Sequence, residues 1–108
     1  MKEVRIGLIG TGYIGKAHAI AYAQAPTVFN LRGKLVREMV AEVTPELAAE
    51  RALAFGFNRS TGDWRALVAD PVIDVVDICS PNHLHKEMAL EAIRHGKHVY
   101  SEKPLALN

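Results

Sequence analysis

The sequence changes period abruptly at Gly10-Thr11-Gly12-Tyr13-Ile14-Gly15. Before that turn, Val4 to Ile9 is a short, mostly apolar run rich in β-branched residues, the pattern of a buried strand. After it, Ile14, Ala17, Ala21 and Ala25 fall near one face of a helix from Tyr13 to about Ala25, which Pro26 closes. A strand that passes through three glycines straight into a helix opens a β-α-β unit, so the remaining elements are expected to alternate.

They do. A polar connection with Asn30 and Gly33 leads to a second strand, roughly Lys34 to Val43. Thr44-Pro45-Glu46 starts a helix, because Thr44 can cap free N–H groups and Pro45 needs no donor in the first turn. That helix runs to Phe55 and stops at Gly56, which tolerates a left-handed backbone. Phe57 to Ser60 reads as a short strand, and Asp63 caps a helix from Trp64 to Ala69. Ile73 to Ser80 is the next strand, His83 to His95 a helix ended by Gly96, and His98 to Glu102 the last strand. Five strands separated by helices predict an α/β fold, a doubly wound parallel sheet; right-handed crossovers favour the order 3-2-1-4-5. Arg37 and Glu38 in the middle of strand two are expected on opposite faces, which makes that strand less buried than strands one and four. A complete sheet of this kind adds a helix and a sixth strand, so the 108 residues read as an incomplete dinucleotide-binding domain. The sheet edge and helix-binding surface so exposed predict marginal stability or self-association.

Composition excludes several functions. Thirteen Lys and Arg against twelve Asp and Glu give a net charge of +1, without the basic excess of a nucleic-acid module or a binder of anionic membranes. One cysteine, Cys79, rules out an intrachain disulfide and a multi-cysteine zinc site, and suggests a reducing, cytoplasmic setting. MKEVRIGLIG reaches glycine too early to be a signal peptide, and no apolar run approaches the ~18 residues of a membrane span.

The glycine turn matches G-x-G-x-x-G, and each glycine has its own reason. Gly10 permits the tight turn, Gly12 lets a pyrophosphate approach the backbone, and Gly15 lets helix and strand pack closely. The phosphates of a dinucleotide then sit at a helix N-terminus, where unpaired N–H groups and the helix dipole favour negative charge. The alternative is a glycine turn with no ligand. Gly10 to Lys16 also reads G-x-x-x-x-G-K, but Ala17 follows where a P-loop needs a magnesium-binding hydroxyl. Glu42 stands at the end of strand two, 30 residues after Gly12, beyond the usual interval of about 20. The connection Thr27 to Gly33, at the opposite edge of the sheet, absorbs the excess. A carboxylate there can accept both ribose hydroxyls and would repel a 2′-phosphate, and Val43 and Thr44 offer no cation. NAD is therefore favoured over NADP. A solvated glutamate at a strand end is the competing reading.

In a Rossmann-like sheet of this order, Cys79-Ser80-Pro81-Asn82-His83-Leu84-His85 faces the glycine loop across the crevice. Asn82 can bind a ribose hydroxyl or a carboxamide, or cap the helix. His85 precedes Met88 and Ala89 on the sheet side and is either packed or in contact with a cofactor. His83 and His85 point to different helix faces, so no metal site is expected. His18 reads as a helix-packing residue, Trp64, Phe55 and Phe57 as core, and Cys79 as a small buried hydrophobe. Glu102-Lys103-Pro104 ends strand five at the same edge. A partly desolvated Lys103 can hydrogen-bond a substrate hydroxyl and help its deprotonation; a surface Glu-Lys pair is the plainer reading.

Taken together, GLIGTGYIG, the acid at Glu42, DVVDICSPNHLH and HVYSEKPLA resemble the nucleotide-binding half of the Gfo/Idh/MocA oxidoreductases, over essentially all 108 residues. The resemblance implies a Rossmann domain that binds NAD or NADP and a hydride transfer to or from sugars, inositols and related polyols. It implies a catalytic and substrate-positioning role for Lys103. Glu42 takes the place of the family's acid, more often aspartate, and Pro81, Asn82 and His85 border the nicotinamide. The cofactor contacts so implied are Gly10, Gly12, Tyr13, Ile14, Gly15, Glu42, Pro81, Asn82, His85, Glu102 and Lys103. Family enzymes continue for some two hundred residues as an open β-sheet domain that supplies most substrate contacts and the usual homo-oligomer interface. Without it, Lys103 is expected to have little activity. A non-catalytic NAD-binding sensor or partner-binding module is the alternative, and a flavodoxin-like response module lacks the acidic cluster it would need.

Overall fold

The computed structural model describes residues 2–24, 33–80 and 82–101. Within them the chain runs β1 (Lys2–Ile9), α1 (Tyr13–Gln24), β2 (Gly33–Ala41), α2 (Pro45–Phe55), β3 (Arg59–Thr61), α3 (Trp64–Ala69), β4 (Val75–Ile78), a 3₁₀ turn (Asn82–Leu84), α4 (His85–Arg94) and β5 (His98–Ser101). The strands form one parallel sheet in the order β3-β2-β1-β4-β5, as the sequence predicts. β1 is paired on both sides, to β2 and to β4, so the crevice where the strand order reverses opens at its carboxyl end.

Local chemistry sets the helix ends. Thr44 accepts a hydrogen bond from the Leu47 amide at 3.1 Å with Pro45 in the first turn, and Gly56 closes α2 with φ of 74°. Asp63 caps α3 through the Arg65 amide at 3.0 Å. Apolar residues divide between the two faces of the sheet. Ile6, Leu8, Leu35 and Val40 pack with Ala19 and Tyr22 of α1 and Ala52 of α2. Ile9, Met39, Ala41, Val76 and Ile78 pack with Leu67 and Val68 of α3 and Met88 and Ala92 of α4. Phe57 is buried, and Phe55 and Trp64 are half-buried against these clusters. Gly7 leaves room for α3, since a Cβ there would lie 2.6 Å from Leu67 Cδ2 and the Leu67 side chain would have to shift.

The structure corrects the reading of strand two. The register steps from Ile6↔Arg37 to Gly7↔Met39, which leaves Glu38 as an extra residue in a β-bulge. Leu35 and Met39 therefore serve opposite faces despite their even spacing. Glu38 is buried, although a glutamate in mid-strand is expected to leave this strand less buried than strands one and four. It accepts hydrogen bonds from Arg5 Nη1 at 2.7 Å, Asn58 Nδ2 at 3.0 Å and Arg59 Nε at 2.6 Å. Arg37 turns to α2 and donates to the Phe55 carbonyl at 3.0 Å. Strand ends also shift. β3 starts at Arg59, since the Phe57 amide is engaged by the Ala52 carbonyl of α2 and the Asn58 amide makes the first bond across to Arg37 of β2. β4 starts at Val75 because Ile73 closes a turn onto the Asp70 carbonyl. The last helix opens as a 3₁₀ turn before α4 begins at His85.

Candidate functional site

The carboxyl ends of β1, β2, β3 and β4 are tied together by backbone hydrogen bonds. The Gly10 amide donates to the Ala41 carbonyl at 3.0 Å, Glu42 to Thr61 at 3.1 Å, and Cys79 to Ile9 at 2.8 Å. Each of the three loop glycines meets different surroundings. Gly10 has φ of 90°, and a Cβ there would lie 2.9 Å from the Cys79 and Ser80 backbone. A Cβ at Gly15 would lie 2.1 Å from the Gly10 carbonyl oxygen, so helix and turn touch directly. A Cβ at Gly12 would meet nothing within 4 Å. The first and third glycines are thus demanded by the fold, whereas the second faces open space at the mouth of the loop. α1 begins there, with the Lys16 amide on the Gly12 carbonyl at 2.8 Å and no acidic residue in its first turn.

Glu42 lies one residue past β2, half-buried, against this loop. Its Oε2 accepts from the Thr11 amide at 2.6 Å and from the Thr11 hydroxyl, and its Oε1 from the Val43 amide at 3.1 Å. Thr11 is buried, so its hydroxyl holds the carboxylate beside the glycine loop instead of letting it swing into solvent. The competing reading of a solvated glutamate does not describe this geometry.

On the other bank, Cys79 and Ser80 follow β4. The Ser80 hydroxyl reaches Met88 Sδ at 3.1 Å, which links this turn to α4. His85 is the first residue of α4 and half-buried, while His83 is exposed in the 3₁₀ turn. Tyr13, Ile14 and Asn82 are placed by their backbones at the starts of α1 and of the 3₁₀ turn. Pro81, Glu102 and Lys103, and with Lys103 the expected catalytic group, lie outside the described residues.

Sequence reasoning missed a polar cluster beside the glycine loop. Asp77 of β4 is fully buried. Its Oδ2 lies 2.8 Å from His18 Nδ1 and accepts from the Tyr22 hydroxyl at 2.5 Å. Cys79 Sγ is 3.4 Å from Asp77 Oδ1 and 3.4 Å from His18 Nδ1. The His18 ring also lies 5.3 Å from that of Tyr100 on β5. His18 is therefore a polar partner of the sheet, not only a packing residue, and Cys79 is half-buried at the end of a polar network rather than a plain hydrophobe. Burial pushes the Asp77 carboxyl up, and the bonds from Tyr22 and His18 work against that. Burial and the neighbouring Asp77 push the Tyr22 hydroxyl far up, so it stays a donor. The available signal was an acid inside the apolar run Val75-Val76-Asp77-Ile78.

Comparison with known proteins agrees with this geometry. Residues 4–108 match the Gfo/Idh/MocA family, described as an oxidoreductase family with an NAD-binding Rossmann fold. Levoglucosan dehydrogenase of Pseudarthrobacter phenanthrenivorans is 54% identical over 107 residues, 98% of this chain and 27% of that protein. The scyllo-inositol 2-dehydrogenase (NADP(+)) IolU of Bacillus subtilis is 35% identical over 105 residues, 97% of this chain and 30% of that protein. A solved levoglucosan dehydrogenase in complex with NADH and L-sorbose superposes with a TM-score of 0.90 at 52% identity, covering 98% of this chain and 29% of that one. The chain thus spans under a third of the length of these relatives. Among the described residues no helix is long and apolar enough to cross a membrane. With its sheet order, its glycine turn and a family match over residues 4–108, this chain belongs to the Gfo/Idh/MocA oxidoreductases, in their NAD-binding Rossmann fold.

Proposed function

We propose that residues 1–108 form the cofactor half of an NAD-dependent dehydrogenase acting on a sugar, inositol or related polyol. The observation that carries this reading is the pairing of an open Gly12 with a Glu42 carboxylate held against the same loop. The residues fit the cofactor. The backbone of Gly10, Gly12, Tyr13, Ile14 and Gly15 would hold the pyrophosphate at the start of α1, where no acidic side chain opposes it. Glu42 would accept the hydroxyls of the adenosine ribose. Its negative charge disfavours a 2′-phosphate, which supports NAD over NADP. Pro81, Asn82 and His85, with Glu102 and Lys103, would border the nicotinamide. NAD, when bound, supplies the hydride acceptor of the oxidation.

This chain's own contribution to chemistry would be Lys103. At the carboxyl edge of β5 its Nζ would hydrogen-bond the substrate hydroxyl and take part in moving its proton as the carbon is oxidised. The remaining substrate contacts would come from the further β-sheet domain that the family resemblance implies, which would also carry the oligomer interface; levoglucosan dehydrogenase, of which this chain spans 27%, has the length for one. A polyol substrate is supported by relatives named for levoglucosan and scyllo-inositol.

Turnover of levoglucosan and of inositols, followed as NADH formation in the whole protein, tests the proposal. Lys103→Ala is expected to lower kcat by at least ~10²-fold, the low end of a general acid–base contribution. Unchanged kcat would overturn the role of Lys103, whereas a protein that binds NADH but turns over none of these substrates would favour a non-catalytic NAD-binding module.

A further inference from the structure

Asp77 occupies a position where an apolar residue would serve the core better. β4 is only four residues long, Val76 and Ile78 beside Asp77 are fully buried, and so is the carboxylate. A buried carboxylate is costly unless hydrogen bonds replace its water, and here they do. Two of its partners, His18 and Tyr22, stand four residues apart on one face of α1, and both meet Oδ2. The third, Cys79, reaches Oδ1 from the turn after β4. Apolar packing allows a helix to slide or rotate over a sheet, whereas two bonds converging on one oxygen set both its depth and its rotation.

The location gives that fixing a purpose. α1 carries the glycine loop at its N-terminus, and β4 carries Cys79 and Ser80 at its carboxyl end. These two ends form the opposite banks of the crevice and meet at close range. Gly15, three residues before His18, brings its backbone to where a Cβ would lie 3.4 Å from Cys79 Cβ. A small rotation of α1 would therefore change the separation of the banks.

The thiol, imidazole and carboxylate lie within 4.8 Å of one another, a donor set that also suits a divalent metal. The geometry is that of hydrogen bonds. Two tetrahedral zinc ligands stay roughly 3.3 Å apart given Zn–N and Zn–O bonds of about 2.0–2.1 Å, while His18 Nδ1 and Asp77 Oδ2 are 2.8 Å apart.

We propose that His18, Tyr22 and Asp77 are positioning residues that fix α1 against β4, so that the glycine loop and the Cys79–Ser80 turn stay in register as the two banks of one dinucleotide site. The inference rests on the NAD reading above. It makes a prediction that a merely structural role does not. A ligand spanning both banks should depend on the cluster, and one held by the glycine loop and Glu42 alone should not.

The test is titration of the protein and its variants with NADH and with ADP, which carries the pyrophosphate and the adenosine ribose but not the second ribose or the nicotinamide. Asp77→Val and His18→Leu are expected to weaken NADH at least tenfold and to leave ADP within threefold. His18→Asn, whose side-chain amide can stand in for Nδ1, should recover most of the NADH affinity. Tyr22→Phe removes one donor of three, remains able to pack, and should give a smaller loss confined to NADH; it carries the test if the other variants do not fold. Unchanged NADH affinity in these variants, or equal losses for both ligands, would overturn the inference. If the unaltered protein bound neither ligand, the cofactor reading would fall and this inference with it.

Discussion

Gly12 and Gly15 are both glycines of one motif, but a methyl group on each would have opposite consequences. Gly15→Ala forces a Cβ to 2.1 Å from a backbone oxygen that cannot move aside, so the variant should unfold at markedly lower temperature. Gly12→Ala meets open space and should keep the parent's thermal stability to within about 0.5 kcal/mol. It should still lose NADH affinity by tenfold or more, a cost of about 1.4 kcal/mol. Thermal melts beside NADH titrations check both, and a Gly12→Ala protein that binds NADH normally would contradict the role given to that residue. These positions were legible because their reasons are local: a turn, a close approach and a helix start within six residues. The bond between His18 and Asp77 was not legible, because it joins residues 59 apart and exists only once α1 lies over β4. The acid inside an apolar strand was the visible trace of it. Thr11 was missed for a similar reason, since its grip on Glu42 spans 31 residues.

Among the elements, β2 departs furthest from its sequence pattern. Alternation assigns Arg37 and Glu38 to opposite faces of a regular strand, but a bulge places Glu38 among Arg5, Asn58 and Arg59, from β1 and from the loop and start of β3. Periodicity could not reveal this, because those partners come from β1 and from the loop and start of β3, outside the strand itself. The capped ends of α2 and α3 were readable residue by residue, since Thr44, Gly56 and Asp63 act within their own turns. Thr44→Ala should accordingly cost about 1 kcal/mol in chemical denaturation. Acid should loosen the bulge. Burial alone would raise the Glu38 carboxyl, but the bonds from Asn58, Arg59 and Arg5 outweigh it and hold the group below its ordinary 4.5. Asp70, bonded chiefly by Arg59, is held below its ordinary 3.8. A lowered folded-state pKa stabilises above the unfolded value, and that contribution fades as pH falls through the folded one. The melting temperature should therefore drop on acidification below about pH 4.5, and Glu38→Gln should flatten that limb. Asp77 acts in the opposite sense. Its raised pKa makes its contribution largest below the ordinary 3.8 and reduces it as pH rises. An acid limb unaltered by Glu38→Gln would contradict the assignment.

At the scale of the molecule, the parallel order β3-β2-β1-β4-β5 followed from alternation and from the handedness of crossovers, without knowledge of any contact. That order puts the glycine turn, Glu42 and the Cys79–Ser80 turn at one edge, although they are far apart in sequence. Substrate chemistry was not legible in the residues' own pattern, and the polyol substrate proposed above rests on the resemblance and on the names of the relatives. The central claim is that the edge formed by the glycine loop and Glu42 is an NAD site. The most direct test is calorimetric titration of the 108-residue chain with NAD and NADP side by side, with folding checked by circular dichroism. The expected result is saturable binding of NAD at least tenfold tighter than NADP, with the preference reduced in Glu42→Ala. A folded chain that bound neither dinucleotide, or bound NADP as tightly as NAD, would contradict it.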